Sequence, residues 1–250
     1  MTKRYPQSDI ARFYRKNTLP YAFDINVSRL AEDAASLYTD VAYLADTACP
    51  EDYAVFTVTM HPQFSGEICC PYQLIEHLGF TCIGAHPCTV YSRLSLDSDT
   101  PEQQSAAEIF VLGKRSDIKE AADKIRAIEE GSFLADQLRT VENIRSCSTF
   151  DRIDLPGEYS KDLFIVALFA YPGKTGEDCR KLFKTYAAEC GYEVNPNFLF
   201  NKEGMIYFLV KGSRPALDSI AEYAFVRTIT APKYLQVNAL DDELDELYAD

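Results

Sequence analysis

No stretch of this chain approaches the roughly 20 uninterrupted apolar residues that a membrane-spanning helix needs. The opening, Met1-Thr2-Lys3-Arg4-Tyr5-Pro6, lacks the apolar stretch of a secretory leader, so a cytoplasmic location is expected. Basic residues are few: 25 Lys and Arg stand against 38 Asp and Glu, for a net charge of −13. Nucleic acid must be neutralised by clustered cations, and only short basic spots such as Lys3-Arg4 and Arg180-Lys181 occur, so it is excluded as a partner. There are three histidines, His61, His77 and His86, and no Cys-x-x-Cys pair. A metal reading would gather Cys69, Cys70, Cys82, His86 and Cys88, whose spacing fits no zinc pattern, so neither a metal nor a cofactor is expected.

Nucleophile signatures are missing as well. No Gly-x-Ser-x-Gly elbow occurs. Pro172-Gly173-Lys174-Thr175 resembles a phosphate loop, but Leu168 stands where the first glycine belongs, and the stretch reads as a turn followed by a helix cap. The chain is therefore expected not to be an enzyme. Eight cysteines in 250 residues do not make a disulfide scaffold, because such scaffolds are short and secreted. Several sit at apolar positions of expected helices and strands, where reduced Cys packs as a small hydrophobe.

What is present is a full apolar complement, 47% of residues, enough for one large domain or two small ones. Leu30, Ala34, Leu37, Val41 and Leu44 recur at helical spacing and predict a helix from Ser28 to Asp46, with Ser28 as its cap. The second half parses most clearly. An apolar strand at 163–171 leads to a capping box at Thr175-Gly176-Glu177-Asp178, and a helix then runs to Gly191. Strands at 192–200 and 205–210 follow, then a helix capped by Ser213, then a strand at 225–230. That order is β-α-β-β-α-β, the ferredoxin-like arrangement. The same order, more loosely spaced, is traceable from Tyr53 to Thr149, with a loop at 97–104 and a linker at 150–161.

The expected fold class is thus α+β, two ferredoxin-like units in tandem with antiparallel sheets. The expected segments are an N-terminal helical segment (1–50), a first unit (51–150), a second, propeptide-like unit (161–232) and an acidic tail (233–250). Six carboxylates fall in the last ten residues. A sheet with helices on one side should alternate in polarity, yet residues 163–171 are apolar on both faces. The bare face then needs a cover, either the other repeat or a separate protein.

Three runs carry a family likeness: Val58-Thr59-Met60-His61-Pro62-Gln63-Phe64, Cys70-Pro71-Tyr72-Gln73-Leu74-Ile75 and Leu78-Gly79-Phe80-Thr81-Cys82-Ile83-Gly84. They resemble the N-terminal, non-catalytic region of a bacterial group of subtilisin-like serine proteases. Phe225-Val226-Arg227 before Ala231-Pro232 is similar to the segment leading into their protease domain, and the likeness spans roughly residues 50–240. It implies a propeptide-like module that inhibits the protease or assists its folding. In such modules the sheet packs on two surface helices of the protease and the C-terminal tail lies in the active-site cleft by strand addition. On this sequence that tail is Tyr234, Leu235, Gln236, Val237, Asn238, Ala239 and Leu240, and Glu203 would cap a protease helix. The family's catalytic Asp-Thr/Ser-Gly, His-Gly-Thr and Gly-Thr-Ser motifs are all missing, so the chain is expected to be a companion to a protease or the N-terminal part of one. A second resemblance stays open: Phe169-Ala170-Tyr171-Pro172-Gly173 is similar to the strand-end turn of ACT-type amino-acid sensors, whose effectors bind near that turn.

Overall fold

Alternation of apolar residues with turn-forming ones builds two antiparallel sheets, each beneath its own helices. The structure, a computed structural model, describes residues 6–91, 102–202 and 204–232. It divides into two units. The first takes the described residues up to Tyr43 together with Asp52–Ser146, and the second takes Leu44–Glu51 with the described residues from Cys147 onward.

The first unit begins with α1 (Gln7–Lys16) and α2 (Phe23–Ala42). The helical spacing placed the start of the second helix at Ser28, five residues late. Asn26 and Arg29 are the reason. Asn26 is fully buried and its amide donates to the Leu138 carbonyl at 2.6 Å, while the Arg29 guanidinium donates to the Val141 carbonyl at 2.8 Å. These bonds hold an extra N-terminal turn against the sheet, with Leu30, Ala31, Ala34, Leu37 and Val41 buried below. The sheet then follows in the order β1 (Tyr53–Met60), α3 (Tyr72–His77), β2 (Thr81–Tyr91), β3 (Gln103–Lys114), α4 (Arg115–Arg126), α5 (Phe133–Leu138) and β4 (Val141–Ser146). Its strands lie in the order β2-β3-β1-β4, every pair antiparallel. β3 starts inside the segment expected to be loop.

Side chains alternate along β1, so Ala54, Phe56, Val58 and Met60 share one face. Phe80 packs edge-on against Phe56 there, with ring centroids 4.9 Å apart, and α4 lies alongside, its Asp117 beside Gly79.

The second unit contains α6 (Thr149–Arg152), β5 (Ile153–Asp154), β6 (Leu163–Phe169), α7 (Gly176–Glu189), β7 (Glu193–Lys202), β8 (Met205–Lys211), α8 (Leu217–Ala221) and β9 (Val226–Thr230). Its strand order is β5-β9-β6-β8-β7, antiparallel except for the two-residue parallel pairing of β5 with β9. The segment read as a linker therefore holds a helical turn and an edge strand. Arg152 anchors that turn: buried, it donates to the carbonyls of Ala221 at 2.6 Å and Tyr223 at 3.0 Å, at the end of α8. Ser213 makes no side-chain cap. A short 3-10 turn, Arg214–Ala216, intervenes before α8, because Pro215 has no N–H to offer a cap.

Both units turn from a helix into the following strand in the same way, α3 into β2 and α7 into β7. Gly79 and Gly191 take positive φ of 92° and 79°. Phe80 N–H bonds Ile75 O at 3.0 Å and Gly79 N–H bonds Glu76 O at 3.0 Å; Tyr192 N–H bonds Ala187 O at 2.8 Å and Gly191 N–H bonds Ala188 O at 3.1 Å. This is the Schellman pattern, which satisfies the last carbonyls of the helix and for which glycine has no steric penalty. The aromatic that follows then lies over a second glycine. A Cβ on Gly113 would sit 2.5 Å from the Phe80 ring, and one on Gly212 would sit 2.2 Å from the Tyr192 ring.

Candidate functional site

Three places carry chemistry, two in the first unit and one in the second. On the face of the first sheet opposite Phe56, cross-strand pairing aligns Thr59 with Glu108 and Glu108 with His86, and aligns Thr57 with Arg145. Glu108 is the hub. One carboxylate oxygen lies 2.9 Å from His86 Nε2 and the other accepts from the Arg145 guanidinium at 2.8 Å. The His86 ring also stacks on Phe110 at 5.0 Å. Burial alone would raise the pKa of the Glu108 carboxyl, but the bonds from His86 and Arg145 outweigh it and hold the value down at about 2. The site is therefore a buried carboxylate that stays charged, held by a partly exposed His86 and an exposed Arg145.

The second place is a cavity of about 620 Å³ between the start of α3 and the strands β2 and β3, lined among others by Met60, Glu67, Cys70, Tyr72, Ala85 and Ile109. Cys70 sits at its wall. The influence of the Cys82 thiol, opposed by burial and aided by Tyr72, lowers the pKa of Cys70. Cys70 and burial raise that of Cys82. The neighbouring Cys69 is buried and is pushed up to about 11.

In the second unit, α7 covers one face of the sheet, Phe183 meeting Phe208 at 5.5 Å. The opposite face carries Leu163, Ile165, Ala167 and Phe169 from β6 with Met205, Tyr207 and Leu209 from β8. Leu163, Ile165, Met205 and Tyr207 are partly exposed, and Phe200 on β7, beside Tyr207, is 53% exposed.

Other residues singled out in the sequence have plain positions. His61 is buried, its Nδ1 accepts the Gln63 N–H at 3.3 Å, and its ring meets Tyr21 edge-on. Burial lowers its pKa, and Glu142 only partly offsets this. Thr175 and Asp178 form a reciprocal capping box on α7, so Pro172-Gly173-Lys174-Thr175 is a turn and a cap. All eight cysteines are free thiols. Of Cys69, Cys70, Cys82, His86 and Cys88 the structure sends His86 to Glu108. Among the described residues no group of three or more His, Cys, Asp or Glu side chains is placed to hold a metal. Tyr234, Leu235, Gln236, Val237, Asn238, Ala239, Leu240 and Glu203 lie outside the described residues.

No protein-family model matches the chain, and no curated protein matches it. The likeness to the subtilisin-associated region thus stands on its three short runs and on Phe225-Val226-Arg227 before Ala231-Pro232 alone. Among the described residues, no helix is long and apolar enough to cross a membrane.

The Glu108 network escaped sequence reading, although a signal was present. Glu108 is the one charge within Ala106-Ala107-Glu108-Ile109-Phe110-Val111-Leu112, and a carboxylate buried in an apolar strand requires partners.

Proposed function

We propose that the protein is a non-catalytic cytoplasmic binding module of two ferredoxin-like units, the second of which docks on a subtilisin-like serine protease and inhibits it or assists its folding. The observation that carries this reading is the face of the second sheet opposite α7. It is apolar, and Leu163, Ile165, Met205, Tyr207 and Phe200 remain partly or largely exposed. Ala167, Phe169 and Leu209 on that face are buried, and the apolar residues around them that stay exposed support an interaction site. The strand orders also support the fold reading, since each unit places its four strands in the 4-1-3-2 arrangement of a ferredoxin-like sheet. On this reading Tyr234 to Leu240 enters the protease cleft and Glu203 caps a protease helix.

The test is titration of the full chain into a purified subtilisin-like protease, with binding followed by calorimetry and inhibition by peptide hydrolysis. Phe200→Ala with Tyr207→Ala should weaken binding by at least about tenfold, the loss expected when aromatic anchors are truncated, while the melting temperature stays near that of the parent. Absence of both complex and inhibition with the parent protein would sink the proposal.

The cavity in the first unit favours a second reading, an ACT-like small-molecule regulator. Near the Pro172-Gly173 turn, however, Tyr171 and Lys174 both bond the Glu51 carboxylate, at 2.8 and 2.5 Å, which occupies the polar groups an effector there would use. Stabilisation by a free amino acid in a thermal-shift screen would favour the regulator.

A further inference from the structure

We propose that the cavity of the first unit binds a small organic cation, an amine or quaternary ammonium carried on a compact apolar body. It concerns the first unit alone and does not rest on the docking of the second.

The two walls of the cavity are fixed before any ligand arrives. One is the segment from Ser65 to Tyr72, which follows β1. Phe64, buried just ahead of it, stacks on Tyr14 of α1 at 6.1 Å, and the Tyr14 hydroxyl donates to the Cys69 carbonyl at 2.9 Å. Tyr14 in turn meets Phe133 of α5 edge-on at 5.6 Å, and the buried Gln137 side chain accepts the Leu74 N–H at 2.8 Å, which fixes the first turn of α3. The other wall is the pairing of β2 with β3, where Ala85 stands opposite Ile109 and Pro87 opposite Ala107. Ala85, Ala106 and Ala107 are small, which leaves about 620 Å³, within the range of small-molecule sites. A site already formed costs little ordering when it is filled.

The lining decides the class of ligand. Met60, Ile109 and Ala106, all buried, give it an apolar floor. Ser65, Glu67 and Tyr72 bring oxygens to its wall. The Ser65 hydroxyl donates its proton to the Pro62 carbonyl at 3.0 Å, so toward a ligand its oxygen is an acceptor. Among the described residues the lining holds no lysine or arginine. His86, its one basic residue there, is already bonded to the Pro87 carbonyl and to Glu108, each at 2.9 Å, and is not available to neutralise an anion. A carboxylate or phosphate would be desolvated beside Glu67 with no counter-charge, and a free amino acid would meet the same penalty at its carboxylate. An ammonium meets the Glu67 carboxylate and the Ser65 oxygen instead. The net charge of −13 adds a long-range pull of the same sign.

The experiment titrates the isotope-labelled full chain with three probes of one shape, phenylbutylamine, phenylbutanol and phenylbutyrate, and follows backbone amides by NMR. Phenylbutylamine should bind with a dissociation constant of about 1 mM or tighter and shift the amides of Gly66, Glu67, Cys70 and Ala85. Phenylbutanol should bind about threefold to fivefold more weakly, the size of an exposed ion pair, and phenylbutyrate more weakly still. The margin should shrink as salt is raised. Glu67→Gln should bring the amine to the affinity of the alcohol and leave the alcohol unchanged. Ala85→Phe, at an exposed strand position that accepts a ring, should fill the cavity and weaken all three probes. The proposal is overturned if phenylbutyrate binds as tightly as the amine, if Glu67→Gln leaves the preference for the amine intact, or if the amine at about 10 mM shifts no amide of the cavity. The three probes on the wild-type protein decide the matter even where a variant does not fold.

Discussion

Thr57 in the first unit and Ala167 in the second occupy the same place, mid-strand on the face turned from the principal helix, opposite Phe110 and Tyr207 respectively. Around Thr57 lie Thr59, Glu108, His86 and Arg145, a polar set whose charges answer one another. Around Ala167 lie Ile165, Phe169, Met205 and Leu209, with no charge among them. The faces beneath the helices do not differ in this way, being Phe56, Val58 and Ile109 in one unit and Val166, Phe208 and Val210 in the other, all buried. The lesson is that the layer beneath the helices sets this topology, while the opposite face is free to vary. One unit furnishes its opposite face with an ion network; the other carries apolar residues there, buried at Ala167, Phe169 and Leu209 and partly exposed at Leu163, Ile165, Met205 and Tyr207.

That contrast can be broken first at Glu108. Its ordinary carboxyl value of 4.5 falls to about 2 in the folded protein, a difference worth up to about 3 kcal/mol. Because the folded pKa is the lower one, this stability is present above about pH 4.5 and is lost as pH falls toward 2. Glu108→Gln should therefore lower stability at pH 7 by about 2–3 kcal/mol and flatten its acid dependence, as read by urea denaturation between pH 3 and 7. An unchanged midpoint would mean that the network merely decorates the sheet. His61 should act in the same direction at higher pH. Its folded pKa is depressed, so stability falls as pH drops below the unfolded value of about 6.5 and the unfolded chain takes up the proton.

The features the units share give a smaller, matched effect. Gly113→Ala and Gly212→Ala each drive a methyl into a buried ring, Phe80 or Tyr192, and each should cost about 1–3 kcal/mol by overpacking. Comparable losses in thermal melts would show the two units to be built alike, whereas a loss in only one would break the parallel.

Much of this architecture is legible in the sequence and some is not, for physical reasons. Thr175 with Asp178 declares a helix start, and the apolar run at 163–169 declares a buried strand, because both signals are local. The N-terminal turn of α2 was missed because Asn26 and Arg29 are fixed by the Leu138 and Val141 carbonyls, more than a hundred residues away. The edge strand β5 was missed for a similar reason: its two residues exist as a strand only through Ile229 and Thr230. For the candidate sites, the doubly apolar face of β6 was legible from composition. The Glu108 partners depend on strand register, which alternation alone does not fix.

The glycine-and-ring contact that ends each helix-to-strand turn also bears on the order of events in folding. It ties Phe80 to a glycine 33 residues along the chain in the first unit and Tyr192 to one 20 residues along in the second. Loop-closure entropy grows with the logarithm of that separation, so the second contact closes at an advantage of about 0.4 kcal/mol. Pulse-labelled hydrogen exchange during refolding should find the Tyr192 amide, bonded to Ala187, protected ahead of the Phe80 amide, bonded to Ile75. The unit that presents apolar surface would then be the first to assemble, which sets the interval during which that surface must avoid other unfinished chains.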